Sequence, residues 1–184
     1  MPDTGAPWNI PYVASTDLVS DWPTDSQELA DAIADGLDGL ANVVSAAKAD
    51  VFSSTSATFE DITGLSVSIT PTTNTSKVLV IASVAASNSS NFADGTELQL
   101  VRNSTNIFLG TGGSTTNQTE FVAGSNLAVN RYTAVFLDSP ATTSATTYKM
   151  QIRVLGSSTG YINRRGTDAT RGVPSSITVI EVPA

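Results

Sequence analysis

Residues 77–86, KVLVIASVAA, carry apolar side chains at both odd and even positions. Successive side chains of a β-strand point to opposite faces of its sheet, so a strand with this sequence presents apolar groups on both faces. One face holds Val78, Val80, Ala82 and Val84, and the other holds Leu79 and Ile81. We therefore predict a central strand whose second face is covered by the same domain or by another chain.

Six other segments show the alternation or the continuous apolar character of strands, and turn-rich segments such as SNSSNFADG, residues 87–95, separate them. In chain order, the seven predicted strands are Thr58–Ile69, Lys77–Ala86, Glu97–Arg102, Asn106–Leu109, Arg131–Asp138, Thr147–Leu155 and Ser176–Val182. Short strands at this spacing, with no helical pattern between them, predict a mainly β fold. We expect residues 52–184 to form an antiparallel jelly-roll sandwich.

The composition excludes several classes of function. The 184 residues suffice for one domain with a hydrophobic core plus appendages. Because the chain has no His and no Cys, it has no disulfide, no thiol nucleophile, no histidine general base and no zinc site built from these residues. No apolar run approaches the roughly 20 residues that cross a membrane, and no basic region followed by an apolar stretch indicates a secretory signal. We expect no membrane insertion.

The charge is distributed unevenly along the chain. Residues 1–50 contain nine acidic residues and one basic residue, Lys48, and so carry the whole net charge of −8. Residues 51–184 contain eight of each and are neutral. Because binding to a nucleic-acid backbone needs an excess of Lys and Arg, we expect no nucleic-acid partner.

Residues 1–23 are predicted to form an extended arm. Four prolines interrupt this segment, and proline fits neither a helix interior nor a central strand. The segment nevertheless contains both tryptophans of the chain, whereas disordered tails are poor in aromatic residues. We predict that the arm anchors the chain to another protein, and that the anchoring residues are Trp8, Ile10, Tyr12 and Trp22.

Residues 24–51 are predicted to form a helical stem. Thr24 and Gln27 have the spacing of a capping box, and apolar residues then recur at alternating steps of three and four, the pattern of a coiled-coil seam. The stem residues expected in this seam are Ile33, Leu37, Leu40, Val44 and Val51. The alternative is an amphipathic helix that lies on its own domain. The narrow seam and the destabilising Gly36 and Gly39 favour support from other copies of the helix.

Several sequence words are spread over residues 57–183: FEDITGLSVSITP, TSKVLVIASV, LQLVR, FLDSPATTSATTYKMQIRV, TGYINR and SSITVIEV. Together they resemble a domain found at the ends of fibre-like structural proteins of tailed bacteriophages, which is similar to the trimeric jelly rolls of the C1q and tumour-necrosis-factor type. The N-terminal words NIPYVASTDLV and WPTDSQELADAIADGL are similar to the opening of phage tail and appendage proteins. This resemblance implies a homotrimeric virion appendage with an N-terminal anchor, a helical stem and an outward knob.

The leading hypothesis is therefore a short trimeric fibre on the tail or head of a phage, which attaches the particle to a host-surface saccharide or protein. The alternative is a capsid decoration, or cement, protein whose arm lies across capsid subunits and stabilises the phage head. A third possibility, a secreted C1q-like binding module of a cell, is disfavoured because the sequence shows no secretory signal.

The segment TGYINRRGTDATRG, residues 159–172, holds half of the six arginines of the chain. Its candidate contact residues are Tyr161, Asn163, Arg164, Arg165 and Arg171. Arginine and tyrosine anchor interfaces and bind anionic or planar ligands, so the segment touches either a cell-surface saccharide or acidic residues of a neighbouring subunit. Because TGYINR belongs to the words shared with the phage domain, the second interpretation is favoured. The polar loops at 87–96 and 111–126 are then the better candidates for receptor contact.

No catalytic, cofactor or metal site is predicted. Five acids of the β region are scattered along it without a spacing that pairs them for hydrolysis: Asp61, Asp94, Glu97, Glu120 and Asp168. The word ADGTE contains a turn-forming Asp–Gly but lacks the graded oxygen spacing of a calcium loop. We expect a non-enzymatic protein without cofactor.

Overall fold

The computed structural model of the protein describes residues 22–38, 42–90, 95–111, 120–122 and 126–183. The chain divides into two compact units, residues 1–42 and residues 43–184. The described part of the first unit is mainly a helix, and the second unit is a β-sandwich. None of the helical residues in the described ranges forms a helix long and apolar enough to cross a membrane.

Helix α1 spans Trp22–Asp38 in the first unit and begins two residues before the predicted start. The Gln27 amide donates a hydrogen bond of 2.7 Å to Asp31 one turn later. Ile33 is 46% exposed, so its side chain is accessible to another chain. The other predicted anchor and seam side chains of this unit lie outside the described residues: Trp8, Ile10, Tyr12, Trp22, Leu37 and Leu40. Self-association through the helix stays a prediction.

The predicted extension of the helical stem to residue 51 is wrong. The helix ends at Asp38, and a strand occupies Val43–Lys48. Side chains alternate along this strand, so that Val44 packs against the sandwich core, while Val51 lies exposed between two strands. A heptad pattern and a strand pattern both allow apolar residues at such spacings, and the long pairing of this segment with another strand of the sandwich decides for the strand. The sandwich unit therefore begins at residue 43 and not at residue 52.

The described residues of the sandwich unit form eleven strands. They are β1 Val43–Lys48, β2 Phe52–Ser54, β3 Glu60–Ile69, β4 Lys77–Asn88, β5 Thr96–Arg102, β6 Thr105–Ile107, β7 Glu120–Val122, β8 Asn130–Asp138, β9 Thr146–Val154, β10 Gly160–Ile162 and β11 Ser175–Val182. All seven predicted strands are present, with ends that differ by at most two residues. The four that the sequence did not reveal are β1, β2, β7 and β10, and three of these are only three residues long.

The strands form two antiparallel sheets whose order is that of a jelly roll. In the first sheet, one side of β4 pairs with β11 along one part of its length and with β10 along another, and its other side pairs with β8. Strand β1 pairs with β11, and β2 pairs with β10. In the second sheet the order is β3, β9, β5, with β6 and β7 both on the free side of β5. Each sheet thus has four strand positions. In the first sheet β4 and β8 each fill one position, β1 and β2 share the third, and β10 and β11 share the fourth. In the second sheet β3, β9 and β5 each fill one position, and β6 and β7 share the last. The predicted antiparallel jelly-roll sandwich is confirmed.

A buried polar cluster joins the two sheets inside the core. Asp138, at the end of β8, accepts hydrogen bonds from Arg102 of β5 at 2.8 and 2.9 Å and from the Tyr148 hydroxyl of β9 at 2.7 Å. Burial of the ring, and then the bond to Asp138, raises the pKa of Tyr148 well above its usual value. The Asp138 carboxylate is paired with Arg102 and also accepts the Tyr148 hydroxyl, so the cluster links the two sheets without an unpaired charge.

Candidate functional site

The stretch at residues 77–86 lies in β4, at the centre of the first sheet, as predicted. Val78, Val80, Ala82 and Val84 are buried in the sandwich core. Leu79 and Ile81 lie on the opposite face and remain half-buried within the single chain. The core therefore accounts for one apolar face of β4 and leaves the other face open.

Strand register places a continuous apolar row across that open face. Leu79 pairs with Ile180 of β11 on one side and with Leu137 of β8 on the other, and Ile180 pairs with Val43 of β1. Val43 is 50% exposed and Leu137 is 46% exposed. We call these four residues the apolar row; it crosses the whole sheet at the end where the sandwich unit begins.

Two further rows continue this outer face and become progressively more polar, and a positive charge flanks the rows at each end: Lys77 beside the apolar row and Arg131 beside the most polar row. The second row is Ser45, Thr178, Ile81 and Val135, and the third is Ala47, Ser176, Ser83 and Thr133. None of the twelve side chains in the three rows carries a charge. Exposed apolar patches of this kind mark contact surfaces, so the outer face is the first candidate site.

The second candidate site is the arginine loop, which we define as residues 163–174 between β10 and β11. At one end of β11, Ser175 pairs with Lys48; towards the other end, Ile180 pairs with Val43. At about 3.3 Å per residue, the loop is roughly 17 Å from the apolar row. The apolar row and the arginine loop thus lie at opposite ends of the first sheet.

Asn163 holds the base of the arginine loop from inside the protein. Its side chain is fully buried and donates hydrogen bonds to the carbonyl oxygens of Lys48 and Asp50 at 2.8 and 2.9 Å, while its own oxygen accepts one from Ser175 at 2.6 Å. Its φ of 68° lies in the left-handed region that asparagine tolerates better than most residues. Asn163 is thus a structural residue, and its side chain is not available to a receptor.

The arginines of the loop are held in place by their neighbours. Arg165 forms an ion pair with Asp168, and the Arg165 guanidinium together with Thr170 holds the pKa of that carboxyl well below its usual range. The Arg164 guanidinium lies 4.2 Å from the centre of the Tyr161 ring. Gly166 packs so closely on the Asn88 backbone that a Cβ atom there would overlap the carbonyl oxygen. The loop is therefore preorganised.

A cleft of about 270 Å³ opens beside this loop. Two apolar residues of the neighbouring segment, Leu127 and Val129, and two arginines, Arg165 and Arg171, line it. The structure thus brings Arg165 and Arg171 of the predicted contact set together at one cleft. It assigns Asn163 to the interior, and it pairs Tyr161 with Arg164.

Each of the three acids considered for catalysis whose side chains are described forms an ion pair with a basic residue. Asp61 pairs with Lys149, Glu97 with Arg153, and Asp168 with Arg165. The other two, at positions 94 and 120, have side chains outside the described residues. Within the described ranges no group of three or more acidic residues lies close enough together to hold a metal ion.

Sequence reasoning missed part of both sites. In RYTAVFLD, residues 131–138, apolar side chains occupy both alternating sets, the same signal that singled out β4, and it identifies Val135 and Leu137 as outward apolar residues. The cleft residues Leu127 and Val129 carried no recognisable signal, because only the fold brings them to the arginine loop.

The protein is thus a jelly-roll sandwich with two candidate contact surfaces, the outer face and the arginine loop. Two solved structures from infectious bursal disease virus show partial similarity: VP2 in a subviral particle, with 13% identity and a TM-score of 0.39, and a structure of the Gt strain, with 14% and 0.38. The matches cover 74% and 77% of this chain but only 36% and 38% of those chains. No protein-family model matches the sequence, and no curated protein matches it significantly. Similarity this low establishes no shared function.

Proposed function

We propose that the chain is a non-enzymatic structural protein of a virus particle, and more narrowly a short homotrimeric fibre of a tailed bacteriophage. In this proposal residues 1–23 dock on another virion protein, and the sandwich faces outward and contacts the host surface. The observation that carries the proposal is the apolar row on the outer face of the jelly roll.

The apolar row supports self-association. Around a symmetry axis the same face of every subunit meets its copies, so a face with one sign of charge would repel itself. The three rows themselves hold no charged side chain, and the two flanking cations, Lys77 and Arg131, lie at opposite ends of the face. The largest apolar groups of the face are concentrated in the apolar row. The number three comes from the sequence resemblance alone.

The N-terminal unit supports attachment to a different protein. Residues 1–42 contain eight acidic residues and no basic one, so copies of this unit repel one another unless apolar contacts or a partner offset the charge. Their aromatic residues are of the kind that anchor interfaces. An acidic, aromatic arm suits a partner surface with basic and apolar groups.

Removal of residues 1–22 is expected to leave a folded, self-associated sandwich that no longer joins the particle. The reason is that a buried aromatic anchor typically contributes about 2 kcal/mol or more to an interface, and the deletion removes several. Quantitative protein analysis of particles assembled with the truncated chain should show that they lack it. Sedimentation of the purified truncated chain should show the same number of subunits as in the full-length protein. Normal incorporation of the truncated chain would contradict the anchoring role.

Deletion of the whole chain distinguishes the fibre from the cement protein. Particles without a fibre should assemble with normal heat stability and adsorb poorly to host cells. Particles without a cement protein should adsorb normally and lose their genome at lower temperature. A loss of heat stability with intact adsorption would replace the fibre by the alternative function.

A further inference from the structure

The positive charges of the sandwich are mostly neutralised within the chain. All nine Lys and Arg residues lie in residues 43–184. Five form ion pairs with acids in the described residues: Lys48, Arg102, Lys149, Arg153 and Arg165. Four have no ion pair among the described residues: Lys77, Arg131, Arg164 and Arg171. Three of these four lie around the arginine loop.

The contacts of Arg131 and Arg164 orient their positive charges without cancelling them. Arg131 donates to the carbonyl oxygen of Pro174 at 2.9 Å, at the end of the loop. Arg164 donates to the Arg165 carbonyl oxygen at 2.9 Å and forms a β-bridge with Gly172. Arg171 precedes that glycine and is exposed. Because carbonyl groups do not neutralise guanidinium, Arg131 and Arg164 keep their positive charge in these contacts.

The cleft has the chemistry of a site for a sugar that carries an oxyanion. The exposed Arg171 guanidinium can bind a carboxylate or phosphate group through two parallel hydrogen bonds, whereas Nε and Nη2 of Arg165 already donate to Asp168. Leu127 and Val129 on the same cleft offer apolar surface to the C–H groups of a sugar ring. The ion pair of Arg165 with Asp168 fixes one of the two guanidiniums in advance, which lowers the entropy lost on binding.

The cleft lies at the opposite end of the first sheet from the point where residues 1–42 join the sandwich. Residues 1–42 are joined to the sandwich at Val43, in the apolar row, and the arginine loop lies at the opposite end of the sheet. Two further segments start from the cleft end, after Asn88 and after Val122.

We propose that the cleft between the arginine loop and residues 126–130 binds an acidic saccharide through the carboxylate or phosphate group of the sugar. The proposal deepens the proposed attachment function by naming the chemical class of the host molecule, and its biological role rests on that function. Binding of the saccharide can be measured with the purified chain, without virus particles.

Titration of the full-length chain with trigalacturonate, mannose 6-phosphate and maltotriose, followed by calorimetry or NMR, tests the proposal. At least one of the two charged probes should bind more tightly than neutral maltotriose, and its affinity should fall as salt rises. Preference for trigalacturonate identifies a carboxylate ligand, and preference for mannose 6-phosphate identifies a phosphate ligand. Failure of both charged probes to exceed maltotriose would overturn the proposal.

Three variants locate the binding. Arg171→Ala should weaken the preferred charged probe about tenfold, since one charge-assisted contact is lost, and Arg171→Lys should restore only part of the affinity because lysine lacks the planar fork. Lys77→Ala removes an equal charge from the opposite end of the sheet and should leave the affinity unchanged. Equal effects of Arg171→Ala and Lys77→Ala would refute the cleft as the site.

An acidic peptide with the sequence of residues 24–38 provides the competing outcome. If this peptide binds the cleft and the charged sugars do not, the arginine loop belongs to a protein contact and the saccharide proposal is wrong. Because all of these titrations use purified protein, their failure leaves the result of the residue 1–22 deletion in particles unaffected. The proposed function and the saccharide proposal are thus tested separately.

Discussion

Val80→Asp is expected to abolish folding of the sandwich, whereas Leu79→Asp, one position earlier on the same strand, is expected to give a folded monomer. Val80 is fully buried in the core, and an unpaired carboxylate there costs roughly 4–5 kcal/mol or more, a large part of the typical 5–15 kcal/mol free energy of unfolding. Leu79 lies in the apolar row on the outer face. A charge at this position stays hydrated in the single chain and is desolvated only when subunits pack together.

Circular dichroism and sedimentation of the two variants, with Thr133→Asp as a control, check this expectation. Thr133 lies on the same outer face but in its polar row, so its variant should be folded and should associate normally. Unfolding of both β4 variants would mean that the outer face is covered within one chain. A stable oligomer of Leu79→Asp would place the subunit contact elsewhere and remove the observation on which the proposed fibre rests.

Patterns of alternation predicted most of the sandwich because a strand that packs on a core repeats every two residues. Both β9 and β11 show this pattern clearly and were predicted to within a residue. In Val43–Lys48 the same rule failed, since the seven-residue spacing of a coiled coil continued from the helix into the strand. Only the long-range pairing of this segment with β11 distinguishes the two interpretations, and pairing between distant segments leaves no local signal.

The candidate sites depend even more on long-range structure. The apolar row takes one residue from each of four strands, and the sequence singled out only β4 as a strand with two apolar faces, without deciding which face points outward. The cleft likewise needs the loop after β10 and the segment before β8. Composition nevertheless singled out the arginine-rich segment, because three arginines within eight residues are unusual in a chain with six.

Asn163→Asp is expected to destabilise the sandwich strongly near neutral pH and much less in acid. The wild-type amide donates to the carbonyl oxygens of Lys48 and Asp50. A carboxylate of the same shape would place negative charge against these two oxygens in a fully buried position. Loss of the hydrogen bonds together with burial of an unpaired charge costs roughly 3–5 kcal/mol. The nearby Lys48 ammonium offsets little of this cost, because the Asp50 carboxylate already pairs with it at 2.6 Å.

The direction of the pH dependence follows from the pKa of the introduced carboxyl group. Burial and the facing carbonyl oxygens raise this pKa in the folded state above the unfolded value of about 3.9. Below that value the group is protonated in both states and donates a hydrogen bond to one carbonyl, so the charge penalty is absent. As pH rises above it, the unfolded chain ionises first, and the deficit in free energy of unfolding relative to wild type grows until the folded group also ionises.

Urea unfolding of wild type, Asn163→Asp and Asn163→Gly at pH 4 and pH 7 separates this effect from simple loss of hydrogen bonds. Asn163→Gly keeps a backbone suited to the φ of 68° and removes the side chain, so its deficit should be the same at both pH values. The free energy of unfolding of Asn163→Asp should approach that of Asn163→Gly at pH 4 and fall well below it at pH 7. Equal stability of all three proteins would mean that the Asn163 side chain does not stabilise the base of the arginine loop. Asn163 would then have to be considered again as a possible receptor contact. A pH-dependent deficit confined to the Asp variant would instead fix Asn163 as the residue that positions the arginines without touching their ligand.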